Sequence, residues 1–324
     1  MFDKVYVAKR VNALRKNAAK RYDINEDDCH IGHIALEGML VEPHAYNQVD
    51  AATNRKETNL SVAYRSCRLS SAMRNSGLVP GDPVILMGPN HLDLAIPFYA
   101  CHFSGFSMCS IDPSITPDDL LKLFPFINPA MVFCQKSCVE KVTNAYKAMN
   151  ATAEIVVFDD KQYDIEAFTR KFKGSEINYR PAEFDQNKLT GWLMLTSGTT
   201  GLPKVAVIPF STVLNGAISW WEACVAEAEM TMAMSTLQWL SSLVFFIAGP
   251  LKGYTRVQSS VPLTPQSLVS LINRYRPNVT VWTPYLLSQF LAAVENVCDF
   301  SCFKYIVIGG SAIEKPLLDR LRVD

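Results

Sequence analysis

The sequence lacks the features that would place this protein in a membrane or on a polyanion. No apolar run reaches the roughly 20 residues that a transmembrane helix requires. The 324 residues carry 31 basic and 31 acidic side chains, so the formal net charge is +0. Charge therefore indicates neither a nucleic acid nor an anionic membrane surface as a partner. The hydrophobic fraction, 49%, is large enough for a sizeable core.

The cysteine and histidine patterns of metal sites are also missing. The 9 cysteines are scattered along the chain, and only 5 histidines are present. The pairs Cys134/Cys138 and Cys298/Cys302 have helical spacing, whereas zinc sites usually combine Cys-x2-Cys pairs with further ligands nearby. We therefore predict that these residues do not form a metal site and that the cysteines are buried free thiols. Free thiols indicate a reducing compartment, most simply the cytoplasm. Mitochondrial and peroxisomal locations are the alternatives.

The first 21 residues are basic and contain a single acid, Asp3. Such a start is typical of a mitochondrial leader. It is equally typical of a solvated basic arm, and the hydrophobic segment of a secretory signal is absent. We therefore predict an N-terminal basic arm over residues 1–30. His30 and His33 form a His-x-x-His pair outside any clear helix, and we interpret them as structural.

Short β-rich runs alternate with helical segments further along the chain. The predicted strands of this region are Pro83–Met87, Met108–Ile111, Met131–Cys134 and Ile155–Phe158. Thr116 as N-cap and Pro117 in the first turn mark the start of one of the helices. The alternation predicts an α/β fold with a parallel sheet covered on both faces. A polar segment, 178–187, separates a first α/β lobe (31–185) from a second lobe (186–324).

One stretch, Leu195–Lys204, concentrates four hydroxyl side chains, two glycines and a lysine. Glycines allow backbone N–H groups to approach a ligand closely, and a run of such groups forms a concave anion site. The stretch therefore predicts a polyphosphate-binding loop, with a polar surface turn as the alternative. A Walker-type loop is disfavoured because Pro203 precedes the lysine and Val205–Ile208 is typical of a strand.

The run Thr196–Lys204, Thr-Ser-Gly-Thr-Thr-Gly-Leu-Pro-Lys, resembles the signature loop of the adenylate-forming enzymes. That family includes acyl-CoA synthetases, 4-coumarate–CoA ligases and beetle luciferases. The resemblance covers about residues 46–324 and implies two stacked, predominantly parallel sheets with helices on their faces. It also implies an enzyme that joins ATP and a carboxylate into an acyl-adenylate, from which CoA displaces AMP. Val205 stands where the family usually has glycine, and Phe210 where many members have histidine.

The resemblance also implies roles for individual residues. Lys204 and Thr200 would act in catalysis, with Thr200 beside a Mg²⁺ ion that bridges the phosphates. The nucleotide would be bound by Thr196, Ser197, Gly198, Thr199, Thr200, Gly201 and Lys204 in the loop, and by Gly309, Gly310 and Ser311 beside the adenine. Gln238 and Trp239 would line the carboxylate pocket. ATP, Mg²⁺ and CoA are thus the expected ligands and co-substrates.

Apolar bulk near the implied pocket indicates the kind of acid. Trp239, Leu243 and Phe246 favour a fatty or aromatic carboxylate over acetate. The alternative for Trp239 is an ordinary buried core residue. Without the resemblance, Gly309 and Gly310 would be explained by a simple turn between a strand and a helix.

Part of the family's pattern does not occur in the chain. The Tyr-Gly-x-Thr-Glu block, expected shortly after Gly310, is absent, and so is a Ser-Lys-Leu peroxisomal signal. We therefore expect a chain truncated within the family's large N-terminal domain. The alternative function is a catalytically incomplete nucleotide-binding or interaction relative. An incomplete sheet leaves an exposed edge, so we expect marginal stability or oligomerisation through that edge.

Overall fold

The computed structural model describes residues 4–196, 204–219, 227–232, 234–294 and 298–320, with the backbone alone described at 4–7. The strands in these segments form two six-stranded sheets. Most neighbouring strands are parallel, and helices pack on the sheets and on one another. The predicted α/β fold with two predominantly parallel sheets is confirmed.

The elements follow one another along the chain as alternating strands and helices. The strands are β1 (Tyr46–Asp50), β2 (Lys56–Thr58), β3 (Pro83–Met87), β4 (Ser107–Ile111), β5 (Met131–Cys134), β6 (Glu154–Val157), β7 (Thr190–Thr196), β8 (Lys204–Pro209), β9 (Met230–Met232), β10 (Thr255–Gln258), β11 (Val279–Trp282) and β12 (Tyr305–Ile308). The α-helices are α1 (Lys4–Tyr22), α2 (Ile31–Val41), α3 (Asn59–Asn75), α4 (Ala95–Ser104), α5 (Pro117–Ile127), α6 (Val139–Ala148), α7 (Ile165–Thr169), α8 (Phe210–Ser219), α9 (Leu240–Lys252), α10 (Pro265–Tyr275), α11 (Pro284–Val294) and α12 (Lys315–Asp319).

Each sheet is parallel except at one edge. The first sheet has the order β6-β5-β3-β4-β7-β8, and the second has the order β12-β11-β9-β10-β1-β2. The antiparallel pairs are β7–β8 in the first sheet and β1–β2 in the second. The central strands of the first sheet are buried along almost their whole length, which explains why β3 and β5 are continuous apolar runs rather than alternating ones.

The second sheet is not formed by one continuous part of the sequence. β1 pairs with β10, and the side chains of Gln48 and Arg256 meet across 208 residues of chain. Conversely, β7 and β8 follow the predicted lobe boundary at residues 185/186 but belong to the first sheet, because β7 pairs with β4. The division into two lobes stays a prediction. The two sheets group the strands differently from those lobes.

Residues 4–22, which fall in the predicted basic arm, form helix α1. Val11, Leu14 and Ala18 on one face are buried in the largest hydrophobic core. Arg10 donates to the backbone carbonyl of Leu251 at 2.9 Å and to the carboxylate of Glu42 at 2.9 Å. This segment is therefore a packed helix of the fold rather than a solvated arm, and its basic side chains help to attach it.

Two of the predicted strands, β3 and β5, are confirmed to the residue. Thr116 caps α5 as expected, with its Oγ1 accepting a hydrogen bond from the Asp119 amide at 3.1 Å, and Pro117 is the first helical residue. Helices α2 and α10 and strand β10 were not predicted. Helix α8 begins at Phe210, directly after β8, and its described part ends at Ser219.

The described cysteines are free thiols, and Cys134 and Cys138 are buried while Cys298 and Cys302 are half-buried. Burial raises the pKa of the Cys134 thiol to about 12, so this side chain behaves as a small apolar group. Within the described ranges, no three His, Cys, Asp or Glu residues are placed to hold a metal ion. The helices in the same ranges include none that is both long and apolar enough to cross a membrane.

Arg65 on α3 is the centre of a largely buried ion network. Its guanidinium contacts the carboxylates of Glu57 at 2.6 Å, Asp93 at 2.5 Å and Glu166 at 2.9 Å. Although burial opposes the charge, the three carboxylates raise the pKa of Arg65 above its usual range. The network joins β2, the turn before α4, and α7 to α3.

We expect Arg65→Met to lower the free energy of unfolding by about 3 kcal/mol, because it leaves buried carboxylates without their partner. The matched control is Lys136→Met, which breaks the exposed ion pair with Asp160 at 3.0 Å. That change should lower the free energy of unfolding far less, because exposed ion pairs are screened by solvent. Urea unfolding measures both variants. Equal losses would contradict the buried network's larger contribution.

Candidate functional site

The candidate site lies where parallel strands of both sheets end. In the first sheet, β3, β4 and β7 run in the same direction and lead to Asn90, Asp112 and Thr196. In the second sheet, the parallel strands β11 and β12 lead to Thr283 and Gly309. Ligands of open α/β sheets bind outside the carboxyl ends of the strands. These two edges are therefore where a ligand is expected.

Two hydrogen bonds join the two edges. Asn90 Nδ2 donates to the backbone carbonyl of Ser235 at 3.2 Å, and Gln238 Nε2 donates to Asp112 Oδ2 at 2.8 Å. Asp112 Oδ1 also accepts a hydrogen bond from the Ser114 amide at 2.8 Å, so both of its oxygens are engaged. The segment between β9 and α9 thus ties the carboxyl edge of the second sheet to that of the first.

The predicted phosphate loop connects β7 to β8. Thr196 and Lys204 face each other in the antiparallel register, and Thr196 Oγ1 donates to the Lys204 carbonyl at 3.3 Å. Both residues are exposed. The loop residues Ser197, Gly198, Thr199, Thr200 and Gly201 lie outside the described part of the chain. The prediction that the loop joins two strands is confirmed, which argues against a Walker-type loop, since that loop opens a helix.

Strand register places Asp112 beside the base of this loop. β4 pairs with β7 through Met108 opposite Trp192 and Cys109 opposite Leu193. Continuing the same register brings Asp112 level with Thr196, the last residue of β7. Asp112 also accepts the hydrogen bond from Gln238, so this edge of the first sheet is joined to the start of α9.

Gly309, Gly310 and Ser311 form an open turn at the end of β12. The Gly309 amide donates to the Trp282 carbonyl at 3.1 Å, which holds the turn against the end of β11. Gly310 has φ +95°, a conformation that favours glycine. A Cβ added at Gly309 would meet no atom within 4 Å, so the backbone there is open to a flat ligand.

The structure separates the three apolar residues that were expected near the carboxylate. Trp239 precedes α9 and is 59% exposed, so its interpretation as a core residue is wrong. Leu243 and Phe246 are each 1% exposed and belong to the core. The ring of Phe246 packs against the guanidinium of Arg256 at 3.4 Å. The expectation that Leu243 and Phe246 add bulk near a substrate is therefore corrected.

Asp50, the last residue of β1, accepts several hydrogen bonds at the carboxyl end of the second sheet. Its carboxylate accepts hydrogen bonds from the Ser260 amide at 2.9 Å, the Ser260 hydroxyl at 2.8 Å and the Thr53 hydroxyl at 2.5 Å. Although burial opposes ionisation, these hydrogen bonds lower the pKa of Asp50 below its usual value. The ionised side chain fastens the loop after β10 to the end of β1.

Sequence reasoning missed Asn90 and Asp112. Asp112 directly follows a predicted strand, and Asn90 follows the Gly88-Pro89 turn after another. A polar residue directly after a buried parallel strand is the signal that could have identified both, because such residues collect at one edge of the sheet. Their partners Ser235 and Gln238 lie more than 100 residues away, 145 and 126 positions along the chain, so the contacts themselves had no local signal.

Comparison with known proteins agrees with this arrangement. The family model described as AMP-binding enzyme matches residues 43–324. The chain therefore belongs to the AMP-binding enzyme family. It is 24% identical over 306 residues to 4-coumarate–CoA ligase 2 of Oryza sativa subsp. japonica, covering 86% of this chain and 52% of that protein. It is 25% identical over 189 residues to the luciferin 4-monooxygenase of Photinus pyralis, covering 56% of this chain and 34% of the other.

Solved structures show the same fold. A luciferase-like enzyme from the nonluminescent mealworm Zophobas morio matches with a TM-score of 0.82 at 22% identity, over 91% of this chain and 69% of the other. The N-terminal domain of FACL13 from Mycobacterium tuberculosis matches with a TM-score of 0.75 at 18% identity, over 90% and 72%. The chain spans about half the length of curated relatives such as the rice ligase, 52% in that case.

Proposed function

We propose that this chain forms the ATP-binding part of an AMP-forming carboxylate–CoA ligase. In the first step a carboxylate oxygen bonds to the α-phosphorus of ATP while the bond from that phosphorus to the pyrophosphate oxygen breaks. In the second step the sulfur of CoA bonds to the acyl carbon, the bond from that carbon to the phosphate oxygen of AMP breaks, and the thiol proton is released to solvent as AMP leaves. The observation that carries the proposal is the β7–β8 hairpin, in which Lys204, the last residue of the signature motif, pairs with Thr196 at the carboxyl end of β7.

Lys204 is proposed to stabilise the charge that develops on the leaving pyrophosphate. It is the first residue of β8, and it is exposed at the base of the loop. Thr196, its register partner, would add a hydroxyl, and Ser197, Gly198, Thr199, Thr200 and Gly201 are proposed to donate through their N–H and O–H groups. Fixed donors at the position where charge develops are typically the largest contribution to such a step.

Gly309, Gly310 and Ser311 are proposed to flank the adenine. The open space above Gly309 allows an aromatic ring to lie directly on the backbone. These groups would orient the nucleotide rather than exchange protons with it. Gln238, which donates to Asp112 at 2.8 Å, is proposed to line the carboxylate pocket with Trp239.

Mg²⁺ is proposed to accompany ATP. The described residues contain no group of three His, Cys, Asp or Glu side chains that could hold a metal ion by themselves. This composition fits an ion that is carried mainly by phosphate oxygens and water, with Thr200 as the proposed protein neighbour. When bound, such an ion would neutralise charge on the phosphates.

The acid is proposed to be aromatic or fatty. What supports this class is the exposed indole of Trp239 at the start of α9, beside Gln238 and close to the Asp112 edge. Similar proteins include the rice 4-coumarate–CoA ligase and a 3-methylmercaptopropionyl-CoA ligase of Ruegeria pomeroyi, 24% identical over 284 residues. An exposed aromatic ring at a ligand edge favours stacking with an apolar acid.

A catalytically incomplete nucleotide-binding relative is the second candidate. Val205 and Phe210, which depart from the family pattern, favour it. Phe210 is fully buried and packs against Phe184 with a centroid distance of 4.8 Å, so it belongs to the core and adds no polar group to the site. This candidate binds ATP without forming an adenylate.

The test is carboxylate-dependent ATP–pyrophosphate exchange on the folded chain. The panel contains acetate, a cinnamate, medium-chain and long-chain fatty acids, and 3-methylmercaptopropionate. Exchange with aromatic or fatty acids, but not with acetate, is the expected result. ATP binding by calorimetry without exchange for any acid would support the incomplete relative. Absence of both from a chain that is folded by circular dichroism would contradict the nucleotide site itself.

We expect Gly309→Val to weaken ATP binding about tenfold with little change in stability. A Cβ at this position meets no protein atom within 4 Å, and the residue is not among those with positive φ, so the fold accommodates a side chain. The added methyl groups would occupy the space proposed for adenine. Gly77→Val is a control for backbone strain. Gly77 has no neighbour within 4 Å, but its φ of +96° is a conformation that strains any residue with a side chain. Unchanged ATP affinity in Gly309→Val would contradict the adenine position.

A further inference from the structure

The segment between β9 and α9 contains a short turn, residues 235–239, which we call the bridging turn. Its backbone closes on itself, because the Trp239 amide donates to the Thr236 carbonyl at 3.1 Å. Ser242 Oγ in α9 donates to the Ser235 carbonyl at 2.5 Å, and the hydroxyl oxygens of these two serines lie 3.0 Å apart. The bridging turn is therefore formed and attached to α9 by its own hydrogen bonds.

Two side chains of the first sheet reach the bridging turn. Asn90 Nδ2 donates to the Ser235 carbonyl at 3.2 Å, and Asp112 Oδ2 accepts a hydrogen bond from Gln238 Nε2 at 2.8 Å. Asn90 follows β3 and Asp112 follows β4, so both contacts come from the carboxyl ends of adjacent parallel strands. The turn is thus anchored to the first sheet at its first residue and at its fourth.

The bond between Gln238 and Asp112 is the stronger of these two anchors. It is the shorter one, and hydrogen bonds to carboxylates are stronger than those between neutral groups. The Asp112 side chain is itself held in place, because its Oδ1 accepts a hydrogen bond from the Ser114 amide at 2.8 Å. Gln238 therefore donates to an acceptor whose position is fixed.

The anchored residue directly precedes the aromatic side chain that is proposed to meet the acid. Trp239 is 59% exposed, and α9 begins at the next residue. Its backbone is extended, with φ −92° and ψ 138°, and its carbonyl accepts from the Leu243 amide at 3.2 Å. Only one peptide unit separates Trp239 from Gln238. A displacement of Gln238 is therefore passed directly to the exposed indole.

The other end of the bond lies beside the strand that leads into the signature loop. β4 pairs with β7 through Cys109 opposite Leu193, and β7 ends at Thr196. Asp112 and Thr196 each lie three residues further along their strands. The bond thus connects the end of the first sheet that leads into the phosphate loop with the residue that is proposed to contact the acid.

This contact is poorly suited to a purely structural role. Gln238 and Asp112 are both half-buried, so water can replace a lost hydrogen bond at either side chain. Leu237, the residue before Gln238, is 3% exposed and holds the turn in the largest hydrophobic core. Loss of the bond is therefore expected to shift the turn rather than to unfold it. A shift of about 1 Å at a reacting group can lower a rate about 10²-fold.

We propose that Asp112 is a positioning residue for adenylation, which holds Gln238, and through it Trp239, at a fixed distance from the signature loop. This role rests on the proposed function, because it requires an acid bound near Trp239 and ATP bound at the loop. Asp112 acts through Gln238 and contacts neither substrate. Its loss therefore slows the use of the acid and leaves ATP affinity unchanged, since the groups of the loop stay in place.

The test breaks the hydrogen bond and then rebuilds it in the reverse direction. Gln238→Met keeps the length of the side chain without a donor, and Gln238→Glu places a carboxylate against that of Asp112. Each should lower kcat/KM for the acid in the exchange assay about 10²-fold. Adding Asp112→Asn to Gln238→Glu lets the new amide donate to the new carboxylate, and kcat/KM should return to within about fivefold of the parent. Adding Asp112→Asn to Gln238→Met should recover nothing.

This recovery separates a positioning role from the alternatives. If Gln238 donated directly to the acid, a carboxylate could not replace it, and the reversed pair would stay impaired. A structural bond would lower the urea midpoint of Gln238→Met and leave the kcat/KM of the folded protein unchanged. The Kd for ATP in Gln238→Met should change less than about twofold. Asp118→Asn, at an exposed position of α5, controls for the loss of a negative charge and should not rescue Gln238→Glu.

A second readout does not depend on catalysis. In protein labelled with 5-fluorotryptophan, the fluorine-19 resonance of Trp239 is assigned by its absence from Trp239→Phe. It should shift in Gln238→Met and return toward its parent position in Asp112→Asn/Gln238→Glu. A folded parent without exchange for any acid would overturn the proposed function, and this role with it. Exchange in the parent that survives Gln238→Met, a loss that the reversed pair does not repair, or an unmoved resonance would overturn the positioning role alone.

Discussion

Replacing Lys204 with alanine is expected to reduce acid-dependent ATP–pyrophosphate exchange by about 10² to 10³-fold, the usual cost of removing one preorganised charge-stabilising group. Lys204 begins β8 at the base of the signature loop, and its side chain is exposed. In the described structure it forms no ion pair, so its charge is available to a ligand. The loss should fall mainly on the rate if the lysine acts on the leaving pyrophosphate, since that charge develops only in the transition state.

The control for this variant is Lys188→Ala. Lys188 is also exposed, lies before β7 and forms only a local ion pair with Asp185, three residues away. It should leave exchange unchanged, and both variants should unfold at the same urea concentration as the parent. A Lys204→Ala protein that retained full exchange and full ATP affinity would remove Lys204 from the proposed mechanism.

Patterns among a few neighbouring residues were enough to predict much of the fold. The Thr116-Pro117 start of α5 and the apolar runs of β3 and β5 are properties of a few neighbouring residues, and the structure has them at the predicted positions. Strand β10 had no such signal, because Arg256 and Gln258 are buried polar residues in its middle and at its end. Arg256 is accommodated by the ring of Phe246 and the amide of Gln48, neither of which is local in sequence.

The candidate site likewise combines local motifs that the sequence can predict with long-range contacts that it cannot. The signature loop and the Gly309-Gly310 turn are contiguous motifs, so the sequence alone was enough to predict them as parts of a nucleotide site. The bond from Gln238 to Asp112 joins residues 126 positions apart and depends on how the two sheets meet. Similarly, helix α1 has a basic composition that resembles an arm, and only the packing of Val11, Leu14 and Ala18 reveals a core helix.

Three buried histidines depend on being neutral. His102 Nδ1 donates to the Phe98 carbonyl at 2.7 Å, and its Nε2 accepts from the Trp192 indole at 2.9 Å. His30 Nε2 donates to the Ala182 carbonyl at 2.8 Å, and its Nδ1 accepts from the Gly32 amide at 3.1 Å. A protonated imidazole has no acceptor nitrogen, so protonation would break one hydrogen bond in each case.

Burial is the main cause that lowers the pKa of His33 and His102 to about 4, and it lowers the pKa of His30 in the same direction. In the unfolded chain these groups titrate near 6.5. The unfolded state therefore binds more protons below that value, and the histidine contribution to stability is complete above pH 6.5 and lost as the pH falls toward 4.

We expect the free energy of unfolding to fall by roughly 4 kcal/mol between pH 7 and pH 5, from about 2 kcal/mol each for His33 and His102. His30 adds to this loss. Urea unfolding at several pH values measures it, and His102→Gln tests the cause, because glutamine can donate and accept but does not titrate. The pH-dependent loss should shrink by about 2 kcal/mol in His102→Gln. His44→Gln, at an exposed position, should leave it unchanged. Equal pH dependence in the parent and in His102→Gln would mean that other groups, chiefly carboxylates, control the acid response.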